Sequence, residues 1–419
     1  AAFLEQEAAA RGLDCPVHWL DARELIIVEH GELGPAVLWP QSRDNAARCF
    51  PASHDGITVV TGFIASDAEG LHTTLGRNGS DFSASIVGAL LGASSIDIWT
   101  DVDGVMSADP NRVPDAAVIS ELSYSEAMEL AYFGAKVIHP QTMSPAVEQN
   151  IPIRIRNSFR PDAPGSRIWK NGDGGELIKG ITSIDRVTLV NLEGTGMIGV
   201  PGTADRLFGA LRAAGISVIL ISQASSEHSI CFAVPSRNAG IVEAAVRRAF
   251  ATELELGQIQ RVEVQHDCSV IAVVGDGMAG IPGIAARFLG TLGSAGINVR
   301  AIAQGSSERN ISVVIDREDE TRALRTAHSG FYLSAKTLSV GLIGPGNVGG
   351  VLLDQVAEQA GKLLLDFNVD FRVRGIATSG RMLLAEQRID LANWREAFEA
   401  GAEPLDLPRF VAHVNAEHL

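Results

Sequence analysis

The chain has 419 residues with 34 Lys and Arg against 50 Asp and Glu, a formal net charge of −16. At roughly 100–200 residues per domain this length predicts about three domains, and 46% apolar with 20% charged residues excludes a disordered or collagen-like chain. The acidic balance argues against nucleic acid or an anionic membrane as partner, because phosphate binding needs a basic face, and no apolar run approaches the ~20 residues of a membrane helix. Cys15, Cys49, Cys231 and Cys268 lie far apart without a C-x-x-C pair, the pattern of reduced thiols in a cytosolic protein. The opening Ala1-Ala2-Phe3 has no Met and no signal region, which leaves open that the chain is a piece of something longer.

In chain order, a β-rich run from Ile57 to Ile64 leads through a turn into LGRNGSD, Leu75 to Asp81. Gly76 and Gly79 permit a tight backbone, and Ser80 or Asp81 can cap the helix expected over Phe82–Leu91. The motif is either an ordinary strand–helix turn or an anion site, in which helix N–H groups and the Arg77 fork meet a carboxylate or phosphate. A buried strand is expected at Ile96–Thr100, followed by WTDVDGVMSADP, Trp99 to Pro110. Its Asp101, Asp103 and Asp109 could hold Mg²⁺ or ribose hydroxyls, or could equally form Asx-turns. YFGAKVIHP, Tyr132 to Pro140, then presents Lys136, one of only five lysines in the chain and so weighted slightly above a surface lysine. WKNGDGGE, Trp169 to Glu176, reads as a linker.

An internal repeat follows. A shift of 81 residues superposes Gly196–Ile230 on Gly277–Ile311 with 19 identities in 35 positions, pairing Pro201 with Pro282 and Gln223 with Gln304. Each copy reads as a small βαββαβ unit. Two copies are too few for a solenoid, so two small domains side by side are expected. Gln223 and Gln304 end matching strands beside Ser pairs, where they either contact a small zwitterion or simply satisfy edge backbone. After a break near Ser334, LSVGLIGPGNVGG places Gly344, Gly346 and Gly349 between an apolar strand and a helix. That context reads as a dinucleotide fingerprint, with Asn347 and Val348 inside it. No acid stands at the end of the following strand to take a ribose hydroxyl; Thr378, Ser379 and Arg381 do, which favours NADP over NAD.

LGRNGSD, WTDVDGVMSADP, LSYSEAMEL (Leu122–Leu130) and FGAKVIHP, in that order, resemble the aspartokinases of the amino-acid kinase family. The run Ile151–Ile168 is similar to the end of that catalytic domain, and Trp19–Leu25 suits one of its strands. The resemblance implies that Phe63, Arg77, Ser80 and Asp81 receive L-aspartate, with Arg77 on the α-carboxylate and Asp81 on the ammonium group. It assigns Thr100, Asp101, Met106, Arg112 and Lys136 to ATP with Mg²⁺, and makes Asp81 and Lys136 the expected catalytic residues. Met106 stands where the family often has Tyr, and Asn111 where it often has Arg, with Arg112 one place later. The family's K-F-G-G-[ST] turn occurs nowhere in the chain, so the chain by itself is expected to lack kinase activity.

The repeat resembles paired ACT domains, the interleaved effector modules of such kinases. Residues 338–394 are similar to the start of homoserine dehydrogenase. Together these features resemble the threonine-sensitive bifunctional aspartokinase/homoserine dehydrogenases, and imply threonine as effector at Gln223 and Gln304. The expected fold is α/β and α+β multidomain. It comprises a partial amino-acid kinase domain over 1–170, ferredoxin-like ACT domains over 176–264 and 265–334, and a partial Rossmann domain over 335–419. The strand at 176–186 is expected to complete the second ACT domain. A cytoplasmic homo-oligomer joined through its ACT domains is expected. The rival expectation is a non-catalytic, amino-acid-binding module built on the ACT pair.

Overall fold

The computed structural model describes residues 1–13, 15–31, 34–51, 56–134, 139–172, 176–223, 228–332, 336–367 and 369–415. It divides into two compact units, residues 1–105 with 118–179 and residues 106–117 with 180–419. A segment of the aspartate-rich motif, residues 106–117, thus belongs structurally to the second unit.

In the first unit, β1 (Val17–Leu20) runs parallel to β2 (Ile57–Val60). Helix α1 (Gly79–Leu91) follows the LGRNGSD turn and stops at Gly92, whose φ of 60° is the left-handed ending glycine favours. Ahead lie β3 (Ile96–Thr100), β4 (Glu121–Leu122), α2 (Tyr124–Tyr132), α3 (Pro140–Glu148), β5 (Ile153–Asn157) and β6 (Ser166–Ile168). The sheet order is β3-β5-β6-β4, with β3 parallel to β5 and β6 antiparallel to it. Alternation along β5 buries Ile153 and Ile155 and turns Arg154 outward. On the outer face Arg156 lies 4.5 Å over the Trp99 ring, a cation–π contact across neighbouring strands. Helix α2 starts from a capping box in which Ser123 and Glu126 satisfy each other's backbone N–H groups. At Gly88 an added Cβ would lie 2.7 Å from Ile96, so its absence lets α1 rest on β3.

In the second unit two 14-residue strands, β7 (Gly180–Glu193) and, further on, β10 (Arg261–Val274), pair antiparallel along their length. Between them come α4 (Thr203–Ala213), β8 (Leu220–Gln223), β9 (Ser229–Pro235) and α5 (Ala239–Ala249). After β10 the pattern repeats as α6 (Ile284–Ser294), β11 (Ala301–Gln304), β12 (Asn310–Asp316) and α7 (Glu320–Tyr332). The six-stranded sheet runs β8-β9-β7-β10-β12-β11. Residues 187–193 of β7 pair with β9, while residues 268–274 of β10 pair with β12. Each βαββαβ module thus takes its fourth strand from the other's long strand. Register shifts between Ile184 and Leu189 mark the crossing, where Arg186 and Asp267 both have φ near +54°. The first module's core joins Leu192, Leu207, Leu211, Phe232, Val242, Val246 and Phe250. The outer strands β8 and β11 meet through one bond, Ser222 Oγ donating to the Ile302 carbonyl at 2.9 Å.

The remaining residues form β13 (Lys336–Ile343), α8 (Asn347–Phe367) and β14 (Val369–Ala377), with β13 parallel to β14. Next come β15 (Arg381–Leu384), α9 (Trp394–Gly401) and α10 (Leu407–Asn415), and β15 is antiparallel to β14. Of the expected partial Rossmann domain the described residues form one parallel βαβ unit, after which the sheet turns antiparallel, so the three parallel strands of a Rossmann half are not reached among them.

Candidate functional site

Phe63 occupies the left-handed region with φ of 74°, a conformation that costs a bulky residue about 1–3 kcal/mol and persists only where surroundings impose it. Two hydrogen bonds impose it: the Phe63 N–H donates to Ser83 Oγ at 2.9 Å, and its carbonyl accepts the Leu75 N–H at 2.9 Å. Ser83 is buried and also donates to the Gly79 carbonyl at 2.8 Å, which ties the Phe63 turn to the first turn of α1. An added Cβ on Gly79 would come within 2.8 Å of the Phe63 ring. Phe63, Ser80 and Asp81 are thereby brought together at the N-terminus of α1, with the Phe63 ring 46% exposed. Burial pushes the half-buried Asp81 carboxyl above its ordinary value, and a hydrogen bond from Ser80 opposes the shift. A half-desolvated carboxylate gains by meeting a cation. Ser83 is a residue that the sequence reasoning missed, since nothing in its spacing separates it from Ser80 or Ser85.

Arg77 lines a cavity of about 340 Å³ with Trp39, Phe82, Gln141, Ser144 and Glu148. Phe82, next to Asp81 on α1, shares these walls, while Phe63, Ser80 and Asp81 are not among them.

Thr100 ends β3, and its hydroxyl donates to Asp101 Oδ1 at 3.2 Å. Asp103 accepts from Asn157 Nδ2 at 2.7 Å and pairs with Arg160. Asp109 accepts the Asn111 N–H at 2.9 Å, the Asx-turn alternative. Thr100 and Asp101 belong to the first unit, and Met106 and Arg112 to the second. There the Arg112 guanidinium is engaged by Glu320 and by Asp109. Lys136 lies outside the described residues. Among the described residues no cluster of three His, Cys, Asp or Glu side chains could hold a metal ion.

In the repeated modules Gln223 and Gln304 end β8 and β11. Gln223 faces a cavity of about 270 Å³ whose other walls include Met197, Val200, Gly202, Thr203 and Ile230. Gly202, with φ of 89°, turns the chain into α4, so the first N–H groups of that helix open beside Gln223. A glutamine amide next to a helix N-terminus can meet a small zwitterion, the helix taking the carboxylate.

At the glycine turn, Gly344 has φ of 92°, and an added Cβ on Gly349 would fall 2.2 Å from the Gly344 carbonyl oxygen. That contact requires glycine for the helix to pack on its strand. Gly346 has open space, and Asn347 and Val348 begin α8, with Val348 86% exposed. Thr378 closes the next turn, its hydroxyl accepting the Arg381 N–H at 3.0 Å; Ser379 lies within that turn. The Arg381 guanidinium reaches α9 instead of the glycine turn, donating to Glu399 Oε2 and the Glu399 carbonyl at 3.1 Å each. Its expected role at a 2′-phosphate is therefore not prepared here.

Comparison with known proteins agrees with this geometry. The amino acid kinase family matches residues 2–157, and the ACT domain matches residues 190–250 and 271–331. The chain is 48% identical over 411 residues to the maize (Zea mays) chloroplastic bifunctional aspartokinase/homoserine dehydrogenase 1. That alignment covers 96% of the chain and 44% of the relative, so the chain spans under half of its length. Among solved structures, E. coli aspartokinase III in complex with lysine and aspartate has 30% identity and a TM-score of 0.63. It covers 77% of this chain and 71% of its own. The same enzyme in complex with aspartate and ADP has 29% identity, a TM-score of 0.64 and the same coverage. An amino acid kinase portion followed by two interleaved ACT modules, at this level of identity, places the chain in the aspartokinase family.

Proposed function

We propose that this chain is part of an enzyme that transfers the γ-phosphoryl group of ATP to the β-carboxylate of L-aspartate. The observation that carries the reading is the strained Phe63 tied through Ser83 to the first turn of α1, the turn that carries Ser80 and Asp81. Phosphoryl transfer to a carboxylate brings two anions together, so fixed N–H dipoles and cations must offset their repulsion. In this reading Asp81 holds the substrate ammonium group and the first N–H groups of α1 face its carboxylates. Thr100, Asp101 and Lys136 serve the nucleotide, and Mg²⁺ would enter as part of the ATP substrate. That E. coli aspartokinase III is solved with aspartate and ADP supports aspartate and an adenine nucleotide as the ligands.

The ACT pair is the regulatory part, with an amino acid bound in the Gln223 cavity and Gln304 as its counterpart in the second copy. Threonine is the proposed effector, and exposed Ile221 and Ile302 on the outer strands are the proposed homo-oligomer surface. The glycine turn at Gly344–Gly349 suits the pyrophosphate of NADP or NAD, and would begin the part that reduces aspartate semialdehyde to homoserine. When bound, the nicotinamide would supply the hydride; the residues here position only the dinucleotide's phosphates.

Titration calorimetry with threonine, and with lysine as comparison, tests the regulatory half. Binding of threonine that weakens at least tenfold in Gln223→Ala is expected; no threonine binding by the wild-type chain would refute it. Aspartate-dependent ADP release measures whether these residues suffice for turnover. Threonine binding without turnover favours the second reading, an amino-acid-binding regulatory module, which the Gln223 cavity also supports.

A further inference from the structure

Residues 106–117 leave the aspartate-rich motif and are stitched into the second unit. The stitching begins at the ACT pair. The Ser107 carbonyl accepts the Ile181 N–H of β7 at 2.8 Å. Ser107 Oγ bonds the ring of His328 on α7 at 2.9 Å and accepts the Ala117 N–H at 2.9 Å, which draws the two ends of the segment together. One helical face earlier on α7, the buried Glu320 accepts from Ser183 of β7 at 2.7 Å and Ser269 of β10 at 3.1 Å. The same carboxylate pairs with Arg112. Arg325 then donates to the Arg112 carbonyl at 2.6 Å.

The other side of the segment is held by the C-terminal βαβ unit. Arg372 of β14 reaches both oxygens of Asp115 at 3.2 Å while also pairing with Asp370 at 2.6 Å. These side chains are mostly buried, at 16% and 20% exposure for Arg372 and Asp115, so the pair is only weakly screened. Gln387 donates to the Pro114 carbonyl. Between the two anchors, Pro114, Asp115, Arg325 and Ser329 enclose a cavity of about 10 Å³, room for about one water. Strand β14 ends beside the glycine turn, where the Gly344 N–H donates to the Ala377 carbonyl at 2.7 Å.

We propose that residues 106–117 form one strap held jointly by the ACT helix at Arg112 and by the dinucleotide-turn unit at Asp115, so that both bodies act on the same segment. The strap continues from Thr100 and Asp101, and describing it as the phosphate side of a kinase site rests on the function proposed above; its double anchoring does not. Two bodies that compete for or cooperate on one short segment are energetically coupled through it. The coupling would run between the effector modules, the glycine turn and the residues that precede the strap.

Amide hydrogen exchange on the 419-residue chain tests this. Asp115→Asn leaves Arg372 paired with Asp370, and Glu320→Gln keeps one acceptor oxygen and offers an NH2 that the other serine hydroxyl can accept from, so both should fold. Each is expected to speed exchange about tenfold across the whole of 106–117, including the end it does not touch, and at the Ile181 amide bonded to Ser107, with the rest of β7 and β10 unchanged. Asp115→Glu should restore wild-type protection. Loosening confined to the mutated anchor, or no change in either variant, would overturn the proposal, as would equal loosening in Asp115→Glu. ADP·Mg²⁺ titration of the wild-type chain reports on the kinase reading separately, and its failure leaves the exchange result standing.

Discussion

At most positions replacing a side chain by glycine is worse than replacing it by alanine, and at Phe63 the order should reverse. Its φ of 74° costs an L residue about 1–2 kcal/mol that glycine does not feel. Glycine's larger freedom in the unfolded chain gives back about 0.5–1 kcal/mol. Both variants lose the same half-exposed ring, so ring burial cancels between them. Phe63→Gly should therefore be more stable than Phe63→Ala by roughly 0.5–1 kcal/mol. Urea unfolding followed by tryptophan fluorescence reads the difference, since Trp19, Trp39, Trp99 and Trp169 all lie in the first unit. If the ring is held under strain for substrate, both variants should also lose aspartate binding alike. Alanine matching or exceeding glycine would refute the strain argument, and with it the reason for placing Phe63 at the site.

Gly349→Ala puts a Cβ against the Gly344 carbonyl and should destabilise the C-terminal unit by about 1–3 kcal/mol, whereas Gly346→Ala, which meets nothing within 4 Å, should be near neutral; Trp394 fluorescence distinguishes them. His328 is buried against Ser107 and stacked on Tyr332 at 4.4 Å. Burial pushes its pKa down to about 4, with Arg372 reinforcing and Asp115 opposing. The folded value lies below the ordinary 6.5, so its contribution is intact above pH 6.5. It is lost as pH falls from 6.5 towards 4, about 3 kcal/mol in all. Unfolding midpoints measured across that range should fall steeply in wild type and flatten in His328→Gln.

Much of the fold was legible because its signals are local. The strand expected at Ile96–Thr100 forms with those bounds as β3, and the helix expected over Phe82–Leu91 forms within α1, each from a few neighbouring residues. The duplication was legible because identical turns recur 81 residues apart. What escaped were long-range choices. Ser83 and Ser80 look alike in sequence, yet only the buried one reaches the Phe63 backbone across twenty residues. Arg112 and Arg381 suited anions by type, but Glu320 and Glu399, over 200 and 18 residues away, hold them. The antiparallel turn after β14 was hidden by a glycine fingerprint that reports only the first strand and helix. A motif specifies its own backbone; where its side chains are spent depends on what the rest of the chain brings.

The two crossing strands have a practical consequence for anyone dividing this protein. A cut between residues 264 and 265 looks like a clean boundary, yet it severs β10: the second half loses residues 180–184 of β7, its fourth strand, and the first half keeps those residues unpaired. Either copy expressed alone would expose a raw sheet edge and invite pairing with another molecule. Loss of one copy in evolution would cripple the survivor in the same way. The duplication, once interleaved, is therefore irreversible by simple deletion, and the pair must be inherited, engineered and unfolded as a single object.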